Sequence, residues 1–282
     1  MVQIMNEDKQ NNMIAGAISE PNPDNMPVIN VFWTGGWDSS FRICELSRMP
    51  VKIQPIYMHG DDRHSEQFER KAMETITRML QERPETKAEF LPLRNVDINK
   101  IEINPAVSDA YNRIREKTGL GTQMEYLSSY VHDHPGIELG IEKLPVEESH
   151  MIHALLESCK IEHGLVNGVE EYYANPDESS EDGLLIFGGI LLPIFDRTEA
   201  DMLKLINEWG YLDIMKQVWF CHQPYQGRPC GMCHPCEVKM GAGMEFLLPE
   251  DAQKRYHLQH RYHDKFWFKV YRKFLYWFFW KH

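Results

Sequence analysis

The stretch "INVFWTGGWDSSFRICEL", residues 29–46, carries the clearest structural signal in this chain. An apolar run ends at two glycines, and an Asp and two serines then open a helix-like pattern. Glycines let a backbone approach an anion closely, and the N–H groups and dipole of a helix N-terminus favour negative charge. The stretch therefore predicts a buried strand, a phosphate-binding turn and a helix from Asp38 to about Ser47. A tight turn without a ligand is the alternative.

The turn matches neither of two familiar phosphate loops. A Walker A loop needs a following Gly-Lys-Ser/Thr, and the dinucleotide fingerprint needs three glycines. Residues Thr34–Ser39 resemble instead the SGGxDS loop of the N-type ATP pyrophosphatases, with Thr in place of the first Ser. Enzymes of that class cut ATP between the α and β phosphates and activate a carboxyl or carbonyl oxygen as an adenylate. The resemblance therefore implies ATP and Mg²⁺ as cofactors.

The same resemblance assigns roles to residues near the turn. The second predicted strand carries adenine in this class, so the backbone around Tyr57 and Met58 is the expected adenine contact. Asp38 and Ser39 are the expected catalytic residues of the turn itself. The residues expected to hold the phosphates are Thr34, Gly35, Gly36, Trp37, Asp38, Ser39 and Ser40.

Composition limits the class of protein. The 282 residues are 43% hydrophobic and 26% charged, which is ordinary for a globular chain with a sizeable core. A net charge of -12 argues against stable nucleic-acid binding. No apolar run reaches the roughly 20 residues that span a bilayer, and the N-terminus has no secretory pattern. We expect a cytoplasmic protein.

Strand and helix signals alternate along the chain. This alternation predicts an α/β fold with a doubly wound, parallel, five-stranded sheet of the adenine nucleotide alpha hydrolase type. An acidic stretch at residues 170–183 is predicted to be a surface loop or a mobile cover over the site. Strands are predicted at 28–33, 52–59, 88–94, 137–142 and within 183–195, and helices at 38–47, 65–83, 105–117, 121–133, 150–158 and 199–210.

Four segments follow from these patterns. Residues 1–26 are predicted to be a flexible lead, and residues 27–215 the nucleotide-binding domain. Residues 216–246 are predicted to be a zinc-binding segment, and residues 247–282 a basic and aromatic helical tail.

Four of the six cysteines crowd together in the zinc-binding segment. Their spacing is C-x8-C-x2-C-x2-C, and four thiolates at such spacing can close a tetrahedron around Zn²⁺. Because four thiolates leave no open coordination position on the metal, the site is predicted to be structural. An iron–sulfur cluster, disulfides and unliganded thiols remain open alternatives, and His222 and His234 are expected to be bystanders. The predicted metal ligands are Cys221, Cys230, Cys233 and Cys236.

The two motifs together resemble the 7-cyano-7-deazaguanine synthase family. The family places a phosphate loop near the N-terminus and a Trp-x-Cys…Cys-Gly-x-Cys-x-x-Cys site near the C-terminus, as in Trp219–Cys221 and Cys230–Cys236 here. The resemblance runs from about residue 28 to residue 246. It implies a homodimer that adenylates the carboxylate of 7-carboxy-7-deazaguanine and converts it with ammonia to an amide and then a nitrile.

The chain departs from that family at several positions. Glu199 stands where the family has a lysine, and the nearby Arg197 is expected to supply the phosphate-binding charge instead. The family's Arg-Asn pair is replaced at residues 121–123, and its cysteine-containing segment after the fourth strand has no counterpart. His64 is a candidate acid–base group or a ligand of the substrate carboxylate.

The tail "KFWFKVYRKFLYWFFWKH", residues 265–282, combines an aromatic stripe with basic residues at helical spacing. Packing within its own domain or on a dimer mate is one interpretation, and docking to another protein is a second. Membrane-surface binding and base stacking are further alternatives.

The sequence therefore predicts a ligase that forms carbon–nitrogen bonds and cleaves ATP to AMP and pyrophosphate. One alternative transfers the activated deazaguanine to an amine on a protein, as an enzyme of a bacterial anti-phage defence system. Another is a catalytically degenerate nucleotide-binding scaffold in a complex, indicated by Glu199. tRNA thiolation is a third, and it would require an iron–sulfur cluster.

Overall fold

The computed structural model describes residues 26–60 and 64–262, together with residues 265, 270 and 273. The predicted flexible lead and the aromatic stripe of the tail lie almost entirely outside these residues. No helix within the described ranges is long and apolar enough to cross a membrane.

The strands belong to one sheet. Within the described residues it has eight strands: β1 Val28–Phe32, β2 Lys52–His59, β3 Glu89–Phe90, β4 Arg94–Asp97, β5 Ile137–Glu138, β6 Ile161–Val166, β7 Val169–Ala174 and β8 Ile190–Leu191.

The helices alternate with these strands over most of the chain, as the sequence pattern predicted. The α-helices among the described residues are α1 Trp37–Ser47, α2 Glu66–Gln81, α3 Pro105–Thr118, α4 Gln123–Asp133, α5 His150–Ser158, α6 Glu181–Phe187, α7 Glu199–Glu208, α8 Leu212–Met215, α9 His234–Gly241 and α10 Glu250–Tyr262.

The sheet order is β3-β2-β1-β5-β8-β7-β6, and β4 also pairs with β2. Strands β3, β2, β1, β5 and β8 are mutually parallel. Strand β7 is antiparallel to its neighbours β8 and β6, so β6 runs in the same direction as the parallel set. The sheet is therefore mostly parallel, and among the described residues it has eight strands rather than the predicted five. From β1 the chain proceeds to β2 on one side, while β5 pairs on the other. Ligands in open α/β sheets bind beyond the carboxyl ends of strands at such a reversal.

A hairpin that was not predicted, β6–β7, accounts for two of the three additional strands. Val166 and Val169 pair at its end, and Asn167 and Gly168 between them have φ values of 52° and 78°. An Asn-Gly pair with both φ angles positive is the signature of a type I′ hairpin turn. The prediction of a loop over residues 170–183 is wrong at both ends, because residues 170–174 belong to β7 and residues 181–183 belong to α6.

The segment 183–195, predicted to contain the fifth strand, is partly helical in the structure. Residues 181–187 form α6, and only Ile190–Leu191 form β8. The apolar run from Leu184 to Ile194 did not distinguish a buried helix from a buried strand, since neither shows polar alternation.

The described chain divides into two units. The sheet unit comprises the chain up to Phe32, Arg42–Met58 and Pro84–Thr198; the cysteine unit comprises Trp33–Phe41, His59–Arg83 and the chain from Glu199 onward. In the sheet unit, apolar residues of α3, α4, α5 and α6 pack with those of β1, β5 and β8 in one buried cluster. In the cysteine unit, the four cysteines pack with Met240, Leu248 and Ala252.

Candidate nucleotide turn and candidate metal centre

The glycine turn, residues 34–40, follows β1 directly in the chain and runs into α1. Gly35 has φ +71°, and a Cβ atom there would lie 2.9 Å from the carbonyl oxygen of Glu69. A side chain at this position would meet both backbone strain and a backbone atom. The N–H of Trp219 donates to the carbonyl oxygen of Gly35 at 2.8 Å. The turn is therefore held against α2 on one side and against the segment before Cys221 on the other.

The hydroxyl groups of the turn differ in exposure. Thr34 is exposed and Ser39 is half-buried, whereas Ser40 is fully buried. The indole Nε1 of Trp33 donates to Ser40 Oγ at 2.9 Å. Ser40, predicted from sequence to bind phosphate, thus has a structural contact inside the unit. Thr34 and Ser39 are the hydroxyl groups that the turn presents more openly.

Two shielded polar atoms at the start of α1 lack a protein partner. The indole Nε1 of Trp37 donates to no described residue, and Oδ1 of Asp38 accepts from none. Buried polar groups in folded proteins are nearly always satisfied, so exceptions point to a missing water, ion or ligand. Burial raises the pKa of the Asp38 carboxyl, and the positive charge of Lys239 opposes that rise.

An ion pair that the sequence did not reveal lies beside these residues. Lys239, on α9, pairs with Glu199 at the start of α7, and both side chains are largely buried. The ammonium nitrogen of Lys239 lies 5.6 Å from the centroid of the Trp37 ring, within cation–π range. Carboxylate oxygens of Asp38 and Glu199 lie within 4.8 Å of one another. A lysine, two carboxylates and an indole therefore meet at the helix end of the glycine turn.

The remaining predicted site residues are distributed between the units. Tyr57 and Met58 are buried at the end of β2. Arg197 belongs to the sheet unit, where it pairs with Glu45. His64 is exposed and immediately precedes Ser65 at the start of α2 in the cysteine unit.

The sheet unit contains a buried charge cluster centred on Arg42. Its guanidinium binds Glu138 through two nitrogens at 2.8 and 2.7 Å, Glu171 at 2.8 Å and Glu45 at 2.6 Å. Burial and the neighbouring charge of Glu138 raise the pKa of the Glu171 carboxyl to about 10, against the opposing effect of Arg42. The raised pKa favours the neutral form of Glu171, and Arg42 and Arg197 lie against the carboxylates of Glu45 and Glu138. Sequence reasoning missed this cluster because Glu171 had been placed in a loop.

The four predicted zinc ligands meet in one buried group. Three of the Sγ–Sγ distances are 3.5 Å for Cys233–Cys236, 3.8 Å for Cys233–Cys221 and 3.9 Å for Cys230–Cys236. A tetrahedron with metal–sulfur bonds of about 2.3 Å has edges of about 3.8 Å. The sulfurs are too far apart for disulfides, whose S–S bond is about 2.05 Å. The group could therefore hold a metal ion such as zinc, with the sulfurs close to tetrahedral spacing.

Backbone N–H groups point at these sulfurs. The N–H of Cys230 donates to Cys221 Sγ at 3.2 Å, and the N–H groups of Met232 and Cys233 donate to Cys230 Sγ at 3.3 and 3.2 Å. Such donors stabilise thiolate, the form of cysteine that binds metal. Gly231, with φ +76°, allows this tight turn, because a Cβ atom there would clash with the backbone of Ala252. His222 and His234 are exposed and outside the four-sulfur group.

Comparison with known proteins gives little further information. No family model matches the chain, and no curated protein matches it. Among solved structures, the chain is similar to a predicted subunit of tRNA methyltransferase from Methanocaldococcus jannaschii, with 13% identity over 66% of this chain and 90% of that one. The TM-score is 0.25, which is too low to support an argument about fold or function.

Proposed function

We propose that the protein is an ATP-dependent, AMP-forming ligase whose glycine turn binds the departing pyrophosphate. The observation that carries the proposal is the constrained Gly35, which lies between the end of β1 at Phe32 and the start of α1 at Trp37. That helix end offers N–H groups without intrahelical acceptors. The two shielded, unpartnered polar atoms of Trp37 and Asp38 add a second reason to expect a ligand there.

The reaction follows from this assignment. A carboxylate oxygen of the substrate attacks the α phosphorus of ATP, and the bond from that phosphorus to the bridging oxygen breaks. Pyrophosphate leaves with the bonding electrons, and a nitrogen nucleophile then displaces AMP from the acyl adenylate. The protein contributes chiefly by positioning the reactants and stabilising charge on the leaving group.

Residues of the turn have separate tasks in this scheme. The N–H groups of Gly36 to Ser39 and the hydroxyls of Thr34 and Ser39 hold phosphate oxygens. Asp38 offers the carboxylate oxygen Oδ1 that suits Mg²⁺, a hard cation that binds oxygen ligands. The Mg²⁺ that accompanies ATP neutralises phosphate charge.

We assign the carboxylate substrate to the 7-carboxy-7-deazaguanine class, on the resemblance to the 7-cyano-7-deazaguanine synthase family. Ammonia is then the first candidate acceptor in a homodimeric enzyme, and one ATP gives the amide. A second ATP would adenylate the amide oxygen, and loss of AMP with that oxygen and of the remaining N–H protons would give the nitrile. A protein amine is the second candidate, since the family segments near the base are replaced at residues 121–123 and at residues 143–153. Lys239 weighs against a degenerate scaffold, because it sets a cation beside the Glu199 that prompted that alternative.

We assign zinc to the four-cysteine group, in a structural role. The four sulfurs would complete a tetrahedral shell and leave no position for substrate. Elemental analysis of the purified protein tests this assignment, with one zinc per chain expected. A brown preparation containing iron and acid-labile sulfide would contradict it and would favour the thiolation alternative.

The ligase proposal is tested by incubating the protein with ATP, Mg²⁺, 7-carboxy-7-deazaguanine and ammonia, with products identified by mass. AMP, pyrophosphate and the nitrile are expected if ammonia is the acceptor. An adenylate that accumulates without amide would favour a protein amine, and mass spectrometry of partner proteins would then search for a deazaguanine adduct. ATP that stays intact with this substrate would contradict the proposal.

A further inference from the structure

Lys239 is a buried cation at the helix end of the glycine turn. Its ammonium pairs with Glu199, lies over the Trp37 ring and acts electrostatically on Asp38. Two of these three neighbours belong to the turn itself. Such a lysine is a costly feature for packing alone, because an apolar side chain of similar size would avoid the desolvation of a charged pair.

The four-cysteine group fixes the position of this lysine. Cys233 and Cys236 flank the first turn of α9, and Lys239 follows Cys236 by three residues on the same helix. Three residues correspond to almost one helical turn, so the lysine lies on nearly the same face as the metal-binding sulfur. Glu199, from α7, holds the other end of the side chain.

We infer that Lys239 binds the pyrophosphate portion of ATP at the glycine turn, with Glu199 as the carboxylate that orients its ammonium. The inference deepens the proposed function and rests on it, because it names the cation that the leaving group needs. Phosphate oxygens would share the ammonium with Glu199. Arg197, the cation expected from sequence, instead pairs with Glu45 in the sheet unit.

The inference is tested by calorimetric titration of the full-length protein with inorganic pyrophosphate and Mg²⁺. The variant Lys239→Met/Glu199→Gln removes the cation and also neutralises the carboxylate with which it pairs. Loss of one charge-assisted contact predicts a Kd that is roughly 10- to 100-fold weaker. Glu199→Gln alone keeps the lysine but removes the carboxylate that orients it, and it is expected to weaken pyrophosphate binding less than the double variant does.

Exchanging the charges of Lys239 and Glu199 distinguishes a role in pyrophosphate binding from a role in packing alone. The variant Glu199→Lys/Lys239→Glu keeps the buried pair and its net charge but moves the ammonium to α7. We expect it to recover most of the affinity that Lys239→Met/Glu199→Gln loses. Lys216→Met, which removes an exposed lysine of the same unit, is the matched control and should bind like the wild type. Zinc content and the thermal transition are measured for every variant.

The outcomes distinguish this inference from the ligase proposal. Undiminished pyrophosphate binding by Lys239→Met/Glu199→Gln would overturn the role of Lys239, even if the wild type converts ATP to AMP. Weakened binding in that variant supports it, even if 7-carboxy-7-deazaguanine is not the substrate. A wild type that binds no pyrophosphate would overturn the inference outright.

Discussion

The main-chain N–H of Trp219 donates to the carbonyl oxygen of Gly35 at 2.8 Å, two residues before the first cysteine of the four-sulfur group. The indole Nε1 of the same tryptophan donates to the carbonyl oxygen of Cys221 at 2.8 Å, and its ring stacks on Phe68 with centroids 4.4 Å apart. One residue thus links the candidate metal centre to the glycine turn.

We predict that loss of the metal disturbs the turn as well as the cysteine segment. Structural zinc supplies about 10–16 kcal/mol of apparent binding free energy in small zinc domains. Cys233→Ser, or treatment with a strong chelator, should therefore lower the thermal transition and weaken ATP binding. Cys159→Ser alters a cysteine outside the group and should retain the zinc. Full ATP affinity in metal-free protein would show that the turn does not depend on the metal.

We predict that Gly35→Ala damages the turn. Alanine at φ +71° is strained, and its Cβ would lie 2.9 Å from a carbonyl oxygen. Strain of this kind costs about 1–3 kcal/mol, measured as the free energy of unfolding in denaturant. Gly121→Ala is the control, because nothing lies within 4 Å of a Cβ there and its φ is not positive. Equal effects of the two substitutions would contradict the assigned constraint.

The buried cluster around Arg42 predicts unequal effects of two substitutions. Arg42→Met leaves Glu138 buried without its bidentate partner, and breaking such a pair costs about 3–5 kcal/mol. Glu171→Gln replaces a protonated carboxyl with a neutral amide and should cost less than about 1.5 kcal/mol at pH 7. Chemical denaturation measures both. A Glu171→Gln variant as unstable as Arg42→Met would show that Glu171 is ionised.

Stability should also fall with rising pH because of Glu171. Its pKa is raised from 4.5 to about 10 in the folded chain, mainly by burial and then by the charge of Glu138. Between those values the folded chain keeps a proton that the unfolded chain has released. Each pH unit therefore removes up to about 1.4 kcal/mol of stability. Glu171→Gln should lose this slope, and parallel pH profiles for the two proteins would contradict the assignment.

The elements predicted best are those with a strong local signal. The buried run before Gly35 and the Asp-Ser helix start predicted β1 and α1 to within a residue. The helices of the sheet unit follow from apolar periodicity and from their caps, such as Asn104 and Ser149. The Asn167-Gly168 pair is also a strong local signal for the β6–β7 hairpin. The residues that follow it are acidic, and their composition favoured a loop instead.

The ion pairs between residues far apart in the chain could not be predicted from the sequence. Lys239 and Glu199 are 40 residues apart, and Arg42 reaches Glu138 and Glu171 across 96 and 129 residues. No local pattern in the sequence connects the members of either group. Only the fold brings them together, which is why Arg197 was expected to serve the phosphates and Lys239 was overlooked. The four cysteines were predictable because their spacing is local.

In the proposed reaction, the glycine turn binds the β and γ phosphates of ATP, which leave as pyrophosphate. A crystal structure with Mg²⁺ and α,β-methylene-ATP, which cannot be cleaved between those phosphates, tests it most directly. We predict β and γ phosphate oxygens within hydrogen-bond distance of the N–H groups of residues 36–39, with the ammonium of Lys239 also in contact. A bound analogue whose phosphates lie away from this turn, or a turn that stays empty at saturating analogue, would contradict the account.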